Sequence, residues 1–76
     1  MWKEQNNKLV RSFEFGSFAD AFAFMTRVAF LAEKHNHHPE LANTYNKVKI
    51  SLSTHDAGDV VTEKDHMLAA DIDRLL

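Results

Sequence analysis

The stretch EKHNHHPELANTYNKVKISLSTHD, residues 33–56, decides most of the fold. Its first residues end a helical segment, because Pro39 lacks a backbone donor and its ring clashes with the preceding turn. Glu40 to Thr44 predicts a short strand, and Tyr45-Asn46 predicts a turn whose tyrosine also reaches the core. A second strand follows, since the apolar or β-branched side chains alternate with polar ones: Val48, Ile50, Leu52 and Thr54. The stretch therefore predicts a helix followed by a β-hairpin.

The residues before this stretch predict a second hairpin. In Lys8 to Phe15, three side chains fall on one face of a half-buried strand: Leu9, Phe13 and Phe15. The polar residues Gln5-Asn6-Asn7 predict a turn, which leaves Trp2-Lys3-Glu4 as a short partner strand.

A long amphipathic helix joins the two hairpins. Ser17 is a favourable N-cap, and the helical period runs from Phe18 to about Lys34. One apolar stripe consists of Phe18, Phe22, Met25, Ala29 and Ala32, and a second consists of Phe24, Val28 and Leu31. Two adjacent stripes make an apolar face wider than one sheet contact requires. The helix is therefore expected either to be well buried in the core or to form a subunit interface in addition.

The end of the chain predicts a second helix. Thr62 is its N-cap, Asp65 occupies the capping-box position, and the apolar stripe is Leu68, Ile72 and Leu75. The predicted order is therefore β-β-α-β-β-α. The fold class is α+β, with a four-stranded antiparallel sheet and helices packed on one of its faces.

The bulk composition limits the class of protein. The 76 residues allow one domain spanning 1–76, and neither a linker nor a repeat divides them. A domain this short without cysteine has no disulfide to stabilise it, so oligomerisation is expected. The formal net charge of −2 gives no reason to expect a nucleic-acid partner. Neither a signal region nor an apolar run of about 20 residues is present, so we expect a cytoplasmic protein that does not interact with the membrane.

Three histidines are the candidate functional groups. His37 and His38 follow the helix end, and His55 lies at the end of the last strand, on its polar phase. Histidine exchanges a proton near neutral pH, so three of them around one cleft suit acid–base catalysis. A solvent-exposed pair at a helix end is the simpler interpretation of His37 and His38 alone. A metal site built from His35, His37, His38 and His55 is a weaker alternative, because no two histidines have helical i, i+4 spacing. His35 and His66 are otherwise expected on the surface.

The spacing of these residues carries a family resemblance. The pattern Glu33-x3-His37-His38-Pro39-x5-Tyr45-x9-His55-x9-Asp65 resembles the signature of the pterin-4a-carbinolamine dehydratases. The similarity covers nearly the whole chain. Relative to the family pattern, the sequence lacks the usual N-terminal helix and has Leu41 where tryptophan is common.

The resemblance implies a reaction and roles for individual residues. Family members dehydrate 4a-hydroxytetrahydropterin to quinonoid dihydropterin, without a metal or a bound cofactor. The resemblance implies that His37 and His55 are the acid–base pair, in either order, and that His38 orients the 4a-hydroxyl group. Glu33, Pro39 and Asp65 are the implied substrate-binding positions, and Asp65 is equally well explained as a helix cap.

The resemblance also implies a role in protein interaction. Vertebrate relatives bind the dimerisation helices of a transcription factor, and the apolar face of the Phe18–Ala32 helix would suit a partner helix. We therefore expect a homodimer or homotetramer, and a protein partner at this helix is the alternative to catalysis. The complete histidine set favours the enzyme.

Overall fold

Four strands and two helices follow one another in the predicted order. The computed structural model describes all residues from Met1 to Leu76. The strands are β1 (Lys3–Gln5), β2 (Lys8–Glu14), β3 (Glu40–Thr44) and β4 (Lys47–Leu52), and the helices are α1 (Phe18–His35) and α2 (Glu63–Asp73). A short 3₁₀ turn at His55–Ala57 separates β4 from α2. The predicted α+β class and element order are confirmed.

The sheet is antiparallel throughout, with the spatial order β1-β2-β4-β3. Asn6 and Asn7 connect β1 to β2 with φ angles of 50° and 61°. Such left-handed angles match the twist of a tight hairpin, and asparagine tolerates them better than most residues. In the centre of the sheet, β2 pairs with β4 so that Leu9 lies opposite Leu52 and Phe13 opposite Val48. The apolar sides of the two central strands therefore face the same way.

Both helices cover this apolar side. The core consists of alternate residues of β2 and β4 and the inward faces of α1 and α2: Leu9, Phe13, Val48, Ile50, Leu52, Ala21, Phe24, Val28, Leu68, Ala69 and Ile72. Side chains on the opposite side of the sheet, such as Lys49, remain exposed. This confirms the prediction of helices on one face.

Helix α1 is rotated relative to the predicted first stripe. Phe24 and Val28 face the core, whereas Phe18 and Phe22 are 48% and 52% exposed. Apolar side chains occur on more than one side of α1, so helical periodicity alone does not say which stripe meets the sheet.

Several single-residue predictions are corrected by the structure. Tyr45 forms the predicted turn with a φ of 51°, but it is 66% exposed and lies outside the core. His66 is exposed as predicted, whereas His35 is partly buried and bonds Asp71. Strand β4 ends at Leu52, and Thr54 forms an isolated bridge with Val60 before the 3₁₀ turn begins. The side-chain alternation of β4 therefore does not extend to His55.

Neither helix is long and apolar enough to cross a membrane. The cytoplasmic location suggested by the sequence stays a prediction.

Candidate active site

A polar cleft of about 250 Å³ opens where the end of α1, the end of β4 and the start of α2 meet. Eight residues line it, none of them hydrophobic: Asn36, His37, His38, Ser53, Thr54, His55, Asp56 and Lys64. The three histidines predicted from sequence are therefore brought to one cleft by segments that are distant in the chain.

The end of α1 places the first two histidines. Asn36 adopts a left-handed conformation with φ of 49°, and its backbone N–H donates to the carbonyl groups of Ala32 and Glu33. The N–H of His37 also donates to the Ala32 carbonyl, at 3.0 Å. This arrangement satisfies carbonyl groups at the helix end and turns the chain away from the helix axis. Pro39 follows at once and cannot resume the helix.

His37 is held by a buried carboxylate. Its Nε2 lies 2.5 Å from Oδ1 of Asp65, whose side chain is 0% exposed. The other oxygen, Oδ2, accepts the Thr54 hydroxyl and the Thr62 amide, each at 2.8 Å. Burial alone would raise the pKa of Asp65, but the hydrogen bonds from His37, Thr62 and Thr54 together hold it below its ordinary value. An ionised carboxylate only accepts, so His37 donates through Nε2, and Nδ1 is the acceptor of the neutral imidazole.

His38 and His55 have more exposed partners. Nε2 of His38 lies 2.5 Å from Oε2 of Glu33, which belongs to the last turn of α1. Nδ1 of His55 lies 2.9 Å from Oδ1 of Asp59, and the His55 side chain is 89% exposed. The hydrogen bond to Asp59, with the negative charges of Asp59 and Asp56, raises the pKa of His55.

A larger hollow of about 480 Å³ lies elsewhere, beside β2, β3 and β4. It offers lysines, hydroxyl groups and Glu14, but no side chain that ordinarily exchanges a proton near pH 7. The histidine cleft is smaller and carries the groups suited to proton transfer, which makes it the candidate active site.

Comparison with known proteins identifies the family. The family model for pterin 4 alpha carbinolamine dehydratase matches residues 1–75. The chain belongs to the pterin-4a-carbinolamine dehydratase family.

Individual relatives support the family assignment. The chain is 51% identical over 75 residues to a Chloroflexus aurantiacus protein named "Putative pterin-4-alpha-carbinolamine dehydratase", covering 99% of this chain and 80% of that protein. A Sinorhizobium medicae protein of the same name is 56% identical over 71 residues, with 93% and 67% covered.

Two solved structures show the same dehydratase fold. One is described as a transcriptional coactivator/pterin dehydratase from Brucella melitensis. It has a TM-score of 0.90 and 40% identity, over 96% of this chain and 79% of that one. The other is described as a pterin dehydratase-like protein that is a RuBisCO assembly factor in the alpha-carboxysome. It has a TM-score of 0.81 and 32% identity, over 97% and 87% of the two chains.

The remaining residues singled out from the dehydratase signature lie around the cleft rather than in its lining. Glu33 bonds His38, Pro39 precedes β3, and Asp65 reaches the cleft only through His37 because its own side chain is fully buried. His35 bonds Asp71 instead, and no three His, Asp or Glu side chains converge so as to hold a metal ion.

The groups at this dehydratase-family cleft that sequence reasoning missed include Thr54, Asp59 and Lys64. Thr54 carried a signal, because it is the one hydroxyl residue in the apolar phase of the predicted strand β4. A hydroxyl group at a core-facing position requires a hydrogen-bond partner. Asp59 and Lys64 lie in exposed polar segments whose composition gave no comparable signal.

Proposed function

We propose that the protein dehydrates 4a-hydroxytetrahydropterin to quinonoid dihydropterin, with the whole chain, 1–76, acting as one catalytic domain. One observation carries the proposal: three histidines line the same cleft, and each is hydrogen-bonded to its own carboxylate. The family membership indicates a pterin as the class of substrate.

The reaction needs one acid and one base. Water leaves from C4a after its hydroxyl group gains a proton, and a ring nitrogen of the pterin loses a proton as the new double bond forms. The number of protons on the enzyme is therefore unchanged over one turnover. Side chains placed within hydrogen-bond reach of the two reacting groups contribute typically about 10²- to 10⁴-fold each to such reactions.

We assign the acid to His55. Asp59 and Asp56 favour its protonated form, and a raised pKa keeps a larger fraction of the imidazole ready to donate near neutral pH. Its Nε2 is not engaged by Asp59, which bonds Nδ1.

We assign the base to His37. The ionised Asp65 accepts from Nε2, so the free lone pair is on Nδ1, and the same carboxylate stabilises the imidazolium that forms when Nδ1 takes a proton. His38, held by Glu33, is left to orient the 4a-hydroxyl group. Pro39 prevents the helix from resuming after the two adjacent histidines.

The test is a stopped-flow assay of 4a-hydroxytetrahydropterin dehydration by purified protein in the presence of EDTA. We expect faster dehydration than in buffer, and no loss of activity with the chelator, because the proposed mechanism uses no metal. Activity that vanishes with EDTA and returns with zinc would contradict the metal-free mechanism. The absence of any acceleration would contradict the enzymatic function.

We also propose a self-association surface on α1. Three phenylalanines of this helix are exposed in a single chain: Phe18, Phe22 and Phe30, at 48%, 52% and 71%. The rings of Phe18 and Phe22 pack against each other, with centroids 5.8 Å apart, and form a continuous apolar surface. A chain of 76 residues with this much exposed aromatic surface gains stability by pairing the α1 helices of two or more copies.

Light scattering of Phe22→Asp tests this surface. We expect the unchanged protein to be a dimer or tetramer at micromolar concentration and Phe22→Asp to be a folded smaller species. Phe24→Asp is unsuitable because Phe24 is only 2% exposed and belongs to the core. A stable monomer before substitution would refute the surface as a contact between copies.

A further inference from the structure

Thr54 lies at the point where β4 gives way to the 3₁₀ turn. It is 5% exposed, and its backbone N–H donates to the Val60 carbonyl at 2.8 Å. The backbone is therefore fixed on both sides, by β4 before it and by the bridge to Val60. A side chain on such a backbone presents its hydroxyl group from a nearly constant position.

The hydroxyl protons around Asp65 form a directed chain. Thr54 Oγ1 donates to Asp65 Oδ2 at 2.8 Å and lies 2.6 Å from Thr62 Oγ1. A threonine hydroxyl has one proton to give, so the short contact between the two hydroxyl groups requires Thr62 to donate to Thr54. The Thr62 amide also donates to Oδ2. Oδ2 thus accepts two hydrogen bonds, and Oδ1 is left for His37.

We propose that Thr54 is a positioning residue, whose hydroxyl group fixes the Asp65 carboxylate so that Oδ1 is reserved for His37 Nε2. This inference rests on the proposed function, in which His37 acts as the base through Nδ1. Thr54 contacts neither His37 nor the reacting atoms in this role. It acts through Asp65.

The Thr62 amide alone does not supply this constraint. Thr62 is the N-cap residue of α2 and Asp65 lies in the first turn of the same helix, so their bond is a local feature of that helix. Thr54 belongs to the end of the sheet, 11 residues away, and ties the carboxylate to a second element. Two donors from different directions restrict rotation of the carboxylate about its Cβ–Cγ bond.

The decisive comparison is Thr54→Val against Thr54→Ser. Valine keeps the shape and removes the donor, whereas serine keeps the donor and loses a methyl group. We expect Thr54→Val to lower kcat about tenfold with KM little changed, and Thr54→Ser to stay within about threefold of the unchanged enzyme. Thr62→Val is the matched control. It removes a hydroxyl group from the same series of hydrogen bonds but leaves both donors to Asp65 in place. Its effect on kcat should therefore be smaller than that of Thr54→Val.

Two NMR measurements report on the coupling without any assay of activity. The ¹³Cγ resonance of Asp65 should titrate at higher pH in Thr54→Val, because the Thr54 hydrogen bond is one of the contacts that lower the pKa of Asp65. The ring ¹⁵N shifts of His37 should change from the Nε2-protonated tautomer to a mixture. Unchanged Asp65 and His37 resonances in Thr54→Val would overturn the proposal, and so would a serine variant that behaves like the valine variant.

These readouts separate this inference from the proposed function. If the unchanged protein shows no dehydratase activity, NMR changes confined to Thr54→Val still support the coupling of Thr54 to His37. If Thr54→Val does not fold, the proposal is tested on the unchanged protein by the exchange of the Thr54 hydroxyl proton with water. A Thr54 hydroxyl proton protected from exchange with water supports the proposal, and one that exchanges freely overturns it.

Discussion

Two histidine–carboxylate pairs face the same cleft but differ in burial. In the His37–Asp65 pair the side chains are 11% and 0% exposed, whereas in the His55–Asp59 pair they are 89% and 67% exposed. Asp65 is fixed by further donors from Thr54 and Thr62, while the only side-chain partner of Asp59 is His55. The buried carboxylate can therefore set the tautomer and direction of its histidine.

The exposed pair has a different effect. Water competes for the His55–Asp59 hydrogen bond and screens its charges, so little fixed geometry follows from it. What remains is an electrostatic preference for protonated His55. A histidine–carboxylate pair therefore orients its imidazole when it is buried and favours the charged imidazole when it is exposed. Substitutions in the two pairs can separate these two effects.

Removing either imidazole that we propose to be catalytic should have the largest effect on the rate. We expect His37→Ala and His55→Ala each to lower kcat about a hundredfold or more, as for loss of a general acid or base. Their stabilities should differ. His37→Ala leaves the buried Asp65 carboxylate without one of its donors and should lower the free energy of unfolding by about 2 kcal/mol. His55→Ala should leave urea unfolding unchanged.

Full activity in both variants would place the active site elsewhere. Equal loss of stability in both would contradict the distinction between the buried and the exposed pair.

Removing the two carboxylate charges should separate the pairs more finely. Asparagine at position 65 has one acceptor oxygen and one NH₂ group, so it cannot accept from both His37 and the Thr54–Thr62 side. We expect Asp65→Asn to lower kcat about a hundredfold, because His37 is pushed toward the wrong tautomer. Asp59→Asn should lower kcat less than about threefold near pH 6. There the His55 imidazole is largely protonated even without Asp59.

Thr62→Ala is the control for capping, since Asp65 also accepts the N-cap amide. It weakens the same helix end without removing a charge beside His37. If Asp65→Asn and Thr62→Ala lose stability and kcat in parallel, Asp65 is a structural cap and has no catalytic role.

The sequence was sufficient for the local parts of this site. Thr62 and Asp65 are three residues apart, so their capping contact follows from spacing alone. The end of α1 before Pro39 was likewise predictable, because one residue determines it. The contact between His37 and Asp65 joins residues 28 apart, and the only sequence-level sign of it was a family pattern.

The rotation of α1 and the pairing of His35 were beyond prediction for a physical reason. Apolar residues occur around much of α1, so burial of Phe24 rather than Phe22 depends on the fit against the sheet. His35 meets Asp71 across two helices, 36 residues apart, and neither residue differs locally from an exposed polar one. Tertiary packing decides both outcomes.

The free energy of unfolding at acid pH should depend on the buried Asp65 carboxylate. Hydrogen bonds lower the pKa of Asp65 in the folded chain, so the unfolded chain binds a proton more readily. The stabilisation is present above the ordinary pKa of 3.8 and is lost as the pH falls through the lower folded value. Asp65→Asn should therefore flatten the fall of unfolding free energy below about pH 4, measured by urea titration at several pH values. Asp59→Asn should leave that slope unchanged.

Asp71 is a second source of acid sensitivity, which the same titrations can separate. His35 lowers the pKa of Asp71 in the contact between α1 and α2. Asp71→Asn should also reduce the slope, but without altering the His37 ring tautomer. A slope that is unchanged in Asp65→Asn would contradict the buried hydrogen-bond network.

The smallest effect should come from salt acting on the exposed pair. The pKa of His55 is raised by the Asp59 hydrogen bond and by the charges of Asp59 and Asp56, all of which face solvent. At 1 M salt the Debye length is about 3 Å, so the contribution of these charges should shrink and the His55 midpoint should move down toward 6.5. The Asp65 midpoint should move less, because its donors are in direct contact inside the protein.

NMR titration of both groups in low and high salt measures the two shifts in one sample. Asp59→Asn serves as the reference for His55, because it removes the Asp59 charge that salt only screens. Asparagine tolerates the positive φ of 58° at this position. If Asp65 responds to salt as strongly as His55 does, water reaches the buried pair and the proposed fixing of His37 through Asp65 fails.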